Sequence, residues 1–72
     1  MRLRLHQAVY AGTAIDVALQ RFAGVATFER AIEGDYFVVT AQLHDAARAR
    51  TIAGELANFA LGLTVEQGGP DR

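Results

Sequence analysis

The chain has 72 residues, no cysteine and a formal net charge of −1 at pH 7. A chain of this length makes one domain with a small core, and without cysteine it has neither a disulfide nor a thiolate metal site to stabilise it. The interspersed charges exclude the basic field that drives nucleic-acid binding, and no apolar run is long enough for a signal peptide or a membrane span. We therefore expect a cytoplasmic protein that binds no nucleic acid, metal or cofactor.

Residues 2–9 alternate between apolar and polar side chains, which is typical of a half-buried strand. Leu3 and Leu5 lie on one side of this strand. The other side is basic and carries Arg2, Arg4 and His6.

A first helix is predicted over residues 14–23. Apolar residues recur on one face at three- and four-residue spacing: Ile15, Ala18, Leu19 and Phe22. Thr13 stands at the expected N-cap, three residues before Asp16, which is the spacing of a capping box. Gly24 is expected to end the helix in the left-handed conformation.

Two apolar runs between Val25 and Leu43 join at Glu33-Gly34-Asp35 and predict a hairpin. Gly34 takes the first central position of a two-residue loop, where a positive φ is needed. The resulting register forms a core face from three cross-strand pairs: Ile32 with Phe37, Phe28 with Ala41, and Ala26 with Leu43.

Arg30 falls on this core face opposite Val39. Either its stem runs along apolar surface to water, or a longer loop or bulge shifts the register. The opposite face is mixed polar, and we expect it to meet water or a partner. It comprises Thr27, Glu29, Ala31, Tyr36, Val38, Thr40 and Gln42.

A second helix, capped by His44 or Asp45, is predicted from about Ala46 to Leu61 and is expected to end at Gly62. Its core stripe comprises Ile52, Leu56, Phe59 and Leu63. An opposite arc, here called the small-residue seam, comprises Ala47, Arg50, Gly54, Ala57 and Leu61. A glycine inside a helix costs about 1 kcal/mol relative to alanine. Gly54 is therefore either a mildly destabilising residue that the fold tolerates or a place where another helix approaches closely.

Thr64 and Val65 are candidates for a short final strand, and residues 67–72 have the composition of a flexible tail. Residues 1–66 then form a single α+β domain. The order βαββα(β), with two helices on one face of an antiparallel sheet and strand one beside strand three, is the ferredoxin-like arrangement.

Little in the chain points to catalysis. It contains no serine and no cysteine, which excludes nucleophiles of both types. Gly68-Gly69 precedes proline rather than a helix, so no phosphate loop is formed. The sheet face offers Tyr36 alone for stacking on nucleic-acid bases. His44-Asp45 is read as a helix cap, and His6 as a surface residue.

Several runs resemble the small accessory protein of the His-Xaa-Ser peptide-modification system. They are Ala8-Val9-Tyr10, Ala14-Ile15, Ala18, Arg21-Phe22 and Glu33-Gly34-Asp35-Tyr36-Phe37-Val38-Val39-Thr40, within residues 5 to 61. The resemblance implies a non-catalytic partner of a radical-SAM enzyme or of its precursor peptide. It carries over no catalytic residue.

The leading hypothesis is a non-catalytic protein-interaction module or accessory subunit, either a homo-oligomer or docked on a larger partner. The high apolar content of a small chain that has neither a disulfide nor a thiolate metal site favours this interpretation. The expected partner-binding residues are the small-residue seam together with Arg4, His6, Tyr36 and Val38. The alternative is a regulatory domain that binds a small molecule at a dimer interface.

Overall fold

The computed structural model describes residues 1–70 of the chain. The fold is α+β, with a three-stranded antiparallel sheet and two α-helices. In chain order the elements are β1 (Arg2–His6), α1 (Gly12–Arg21), β2 (Ala26–Glu33), β3 (Tyr36–Leu43), a short 3₁₀ helix (Ala46–Arg48) and α2 (Ala49–Glu66). The sheet order is β1-β3-β2, so β3 is central and the two other strands are edges.

The predicted hairpin register is confirmed throughout. Ile32 pairs with Phe37, Phe28 with Ala41, and Ala26 with Leu43. Gly34 has φ 59°, the positive value predicted for the first loop position. Arg30 lies opposite Val39 without a bulge, so the first of the two explanations for this arginine is the right one.

The core lies between the sheet and both helices, which pack on the same sheet face. Its buried cluster comprises Leu5, Ile15, Ala18, Phe37, Val39, Leu56 and Ala60. One predicted core residue is wrong: Ile32 is 62% exposed, although it points to the helix side of the sheet. Ile32 lies one residue before the hairpin end Glu33 on an edge strand, where the helices do not cover it.

The predicted ends of α1 are also wrong. The helix begins at Gly12 after the N-cap Ala11, and the Thr13 hydroxyl donates to Oε1 of Gln67 (3.1 Å) instead of forming a capping box. Gly24 is not in the left-handed region; the chain leaves α1 through a turn in which Val25 N–H donates to the Phe22 carbonyl (3.0 Å).

The second helical segment begins with a 3₁₀ helix at the predicted Ala46, becomes α-helical at Ala49 and ends later than predicted. Asp45 accepts a hydrogen bond from Ala47 N–H (3.1 Å) at the start of the 3₁₀ helix, so Asp45 rather than His44 is the cap. The helix then continues through Gly62 to Glu66, which overturns both the expected stop at Gly62 and the final strand at Thr64 and Val65.

Thr64 holds this last turn to the rest of the fold. Its side chain is buried, donates to the Ala60 carbonyl (2.8 Å) and accepts from Ala11 N–H (3.0 Å). Ala11 is the N-cap of α1, and its N–H finds its partner in this threonine. A tertiary contact thus keeps Thr64 helical despite its β-branched side chain.

Part of the predicted flexible tail is the cap of α2. Gly68 N–H bonds to the Val65 carbonyl (3.1 Å) and Gly69 N–H to the Thr64 carbonyl (2.9 Å), the two bonds of a Schellman motif. Gly68 has φ 97°, as this motif requires. The remaining part of the predicted tail, residues 71 and 72, lies outside the described residues.

We expect Gly34→Ala to lower the free energy of unfolding by about 1–2 kcal/mol, because alanine is strained at this positive φ. Gly24→Ala is the matched control: its backbone is not left-handed and an added Cβ meets nothing within 4 Å. Thermal or urea unfolding measures both changes. Equal effects of the two substitutions would contradict the proposed role of Gly34.

Thr64→Val keeps the side-chain shape and removes both hydroxyl bonds. The buried Ala11 N–H then has no partner, and we expect a loss of about 1–3 kcal/mol in stability. Thr51→Val, at an exposed position of α2, serves as the control and should change stability by less than about 0.5 kcal/mol. Denaturant titrations that show no difference between the two variants would exclude a stabilising role for the hydrogen bonds of the Thr64 hydroxyl.

Candidate protein-interaction surface

The outer edge of β1 has no neighbouring strand among residues 1–70. Met1 and Ala41 exchange both backbone hydrogen bonds (3.0 and 2.8 Å), and Gln7 N–H donates to the Asp35 carbonyl (2.9 Å). Since bonded and non-bonded pairs alternate in an antiparallel ladder, Leu3 and Leu5 bond to β3, while Arg2 and Arg4 turn their N–H and C=O groups to the open edge.

The open edge ends at His6. Its carbonyl accepts hydrogen bonds from Val9 and Tyr10 N–H (3.0 Å each), and its Nδ1 accepts from Ala8 N–H (3.0 Å). These bonds turn the chain away from the sheet. The free backbone of β1 is therefore a short stretch centred on Arg2 and Arg4.

Three of the predicted partner-binding residues form a cluster on the outer sheet face. The guanidinium carbon of Arg4 lies 4.2 Å from the centre of the Tyr36 ring, and His6 meets that ring edge-on at a centroid distance of 4.8 Å. The structure brings these side chains together, as neighbouring strands should. They leave Tyr36 only half-buried.

Val38 is the fourth predicted residue of this face, and its predicted exposure is wrong, because it is 3% exposed. Arg2 lies beyond one side of Val38 and Glu33 beyond the other, and their carboxylate–guanidinium contact (3.0 Å) crosses the sheet diagonally at Val38. Long arginine stems cover apolar surface while the charge stays in water. Val38 is therefore buried although it lies on the outer face.

The edge of β2 is chemically different. Its outward backbone groups belong to residues 26, 28, 30 and 32, because Val25 and His44 form a bonded pair (3.1 Å) and the alternation continues from there. Arg30 on this edge points inward, lies 5.2 Å from the centre of the Phe37 ring, and pairs with Asp16 of α1 (2.8 Å). An inward charge on an edge strand discourages pairing with a further strand.

The helix α2 lies over the β1 side of the sheet. The first helix occupies the β2 side, since Asp16 pairs with Arg30 and a depression between α1 and β2 is lined by Leu19 and Phe28. The two helices meet where Phe22 and Phe59 contact each other edge-on at 6.1 Å. Both helices share one sheet face, so α2 takes the remaining place, above β1.

The small-residue seam lies on the flank of α2 that faces away from α1. At about 3.6 residues per turn, Phe59 and Ala57 fall on opposite flanks of the sheet-facing stripe. Gly54 and Arg50 are exposed, Leu61 is 37% exposed, and Ala57 packs partly against the core. Ala47 lies in the 3₁₀ helix and not in α2, so it does not continue the seam in phase as predicted.

No group of three or more histidine, aspartate or glutamate side chains is placed to hold a metal ion within residues 1–70. Two open depressions of about 400 and 340 Å³ border β2. Among residues 1–70, Glu29 is the one ionisable residue that lines them.

Comparison of the chain with protein-family models, with curated proteins and with solved structures finds no match. Within residues 1–70, no helix is both long and apolar enough to cross a membrane. The sequence pattern found the seam and the Arg4, His6 and Tyr36 cluster. It does not specify which sheet edge is open, because Thr64 and Val65 are candidates for a final strand and the structure places them in α2.

Arg30→Val tests the protective role of the inward charge. We expect this variant to self-associate with rising concentration through the β2 edge, measured as mass by light scattering against the wild-type chain. Asp16→Asn is the control, because it weakens the ion pair and keeps the inward guanidinium. If Arg30→Val keeps the mass of the wild-type chain at every concentration, the inward charge has no protective role.

Proposed function

We propose that this chain is a non-catalytic protein-interaction module, built as a ferredoxin-like βαββα fold whose sheet is open beside β1. One observation carries the proposal: among the described residues no strand pairs with the outer edge of β1. An open edge is a template for pairing with another chain.

Two features support this function. The β2 edge carries the inward-pointing charge of Arg30. The β1 edge has no inward-pointing charged side chain among its residues 2–6. Three residues of the small-residue seam, Arg50, Gly54 and Leu61, are exposed on the flank of α2 next to the open edge. An edge and a helix flank that adjoin offer both backbone and side-chain contacts to one partner.

The partner is either a second copy of this chain or a larger protein. The resemblance to the His-Xaa-Ser accessory protein implies a radical-SAM enzyme or its precursor peptide, and we propose these as the first partners to test. Purified components distinguish them from self-association, since only the latter changes the mass of the isolated chain.

A matched pair of helical glycines tests the module. A Cβ added at Gly54 or at Gly62 meets nothing within 4 Å, so both positions accept a large side chain on the same helix. Gly54 lies on the seam, whereas Gly62 lies near Asn58 and Glu66 on another face. We expect Gly54→Trp to weaken self-association or partner binding at least about tenfold, or by 1.4 kcal/mol, and Gly62→Trp to leave it unchanged.

The readouts are mass by light scattering, for the isolated chain, and affinity by calorimetry, for a purified partner. Circular dichroism establishes that both variants are folded. A complex that forms equally well with both variants excludes the seam. A wild-type chain that stays monomeric and binds none of the purified partners contradicts the proposed function.

A further inference from the structure

We propose that the open edge of β1 and the adjoining flank of α2 form one ledge that binds an extended, acidic strand of a partner protein. We call it the β1–α2 ledge and define it by Arg2, Arg4, Arg50, Gly54, Ala57 and Leu61. This inference rests on the proposed function and names the chemistry of the partner. Neither surface alone specifies an occupant; their adjacency and their charge do.

The floor of the ledge is the backbone of β1. Arg2 and Arg4 turn their N–H and C=O groups outward, and the pairing stops at His6, whose carbonyl is already bonded twice. A partner strand beside β1 completes these hydrogen bonds. Its side chains alternate between the helix side and the outer face of the sheet.

The wall of the ledge is the flank of α2. Side chains of the partner that point to the helix side enter the space between β1 and this flank. A Cβ added at Gly54 would meet nothing within 4 Å, Ala57 carries only a methyl group, and Leu61 supplies exposed apolar surface. Apolar, β-branched partner residues suit these positions, because they favour strands and bury well.

The charge of the ledge fixes the other half of the partner pattern. Its charged residues are the exposed Arg2, Arg4 and Arg50, and of these Arg2 and Arg4 lie on the outer face of the sheet. Arg2 already contacts Glu33, whereas no carboxylate lies within ion-pair distance of Arg4 in the described residues. A partner side chain directly across from Arg4 lies on the outer face, so an acidic residue is favoured there.

The same charges argue against a second copy of this chain as the occupant. Two β1 strands paired antiparallel about their centres place Arg4 opposite Arg4, and like charges directly opposite are destabilising. A β2 edge from a second copy brings the inward Arg30 to the helix side of the ledge. A partner strand with alternating acidic and apolar residues meets neither obstacle.

A designed peptide tests the proposal directly. The probe is a capped peptide, long enough to cover β1, in which glutamate alternates with valine. The first control replaces glutamate with lysine, and the second carries N-methyl groups that remove its backbone donors. We expect the acidic peptide to bind at least about tenfold more tightly than either control and to shift the amide resonances of β1 and of α2 around Gly54 and Ala57.

Arg4→Glu and Arg48→Glu form the matched variants, since both arginines are exposed and only Arg4 lies on the ledge. Arg4→Glu should weaken binding at least about tenfold and Arg48→Glu much less. If Arg4→Glu fails to fold, the resonance shifts of the wild-type chain still locate the peptide.

Three results would overturn the ledge: no binding of the acidic peptide, equal binding of the lysine or N-methyl control, or shifts confined to the β2 edge. A second copy as occupant would instead give β1 shifts that depend on protein concentration without any peptide, which also rejects the proposal. These failures differ from failure of the proposed function, because a chain that binds a purified partner elsewhere remains an interaction module.

Discussion

The register of the β2–β3 hairpin orders the rest of the fold, and Gly34 permits the turn that sets it. Its φ of 59° permits a two-residue loop, and that loop fixes the pairing of β2 with β3. Since side chains alternate with a period of two, a slip by one residue would move Phe37 and Val39 out of the core and Val38 into it. The face of β3 that enters the core, the position of Arg30 and the outward groups of the β2 edge therefore follow from this turn.

The central position of β3 makes the two remaining strands edges, and the register gives each a different chemistry. On β2 the residues with outward backbone groups point their side chains at the helices, so Arg30 becomes an inward charge held by Asp16. On β1 the residues with outward backbone groups, Arg2 and Arg4, point their side chains to the other face. One edge therefore resists a further strand, while the other combines free backbone with an accessible positive charge.

Periodicity was sufficient to predict the elements that bury a continuous face. The hairpin with its register and the core positions Ile15 and Leu56 are confirmed. The element ends were missed where a tertiary contact decides: the bond of Thr64 to Ala11 keeps helical a residue whose local preference is for a strand. The burial of Val38 was missed because alternation assigns a face and does not show that a diagonal arginine–glutamate contact covers it.

For the candidate site, the seam and the Arg4 cluster were predictable separately. Their adjacency was not, since it requires the position of α2 above β1.

The free energies of backbone hydrogen bonding and of side-chain burial indicate which part of the β1–α2 ledge would determine its affinity for a partner. Each backbone hydrogen bond contributes about 0.5–1.5 kcal/mol net, because the free groups are already bonded to water. The N–H and C=O groups of Arg2 and Arg4 together would then supply at most about 6 kcal/mol, whereas association itself costs about 4–15 kcal/mol. Backbone pairing alone therefore gives register and direction without useful affinity. Burial of an aliphatic side chain contributes about 1.5–3 kcal/mol, and on the proposed β1–α2 ledge such side chains would lie along Gly54 and Ala57. A partner strand on the β1–α2 ledge would then offset the cost of Gly54, one of two glycines in α2, which is about 1 kcal/mol relative to alanine.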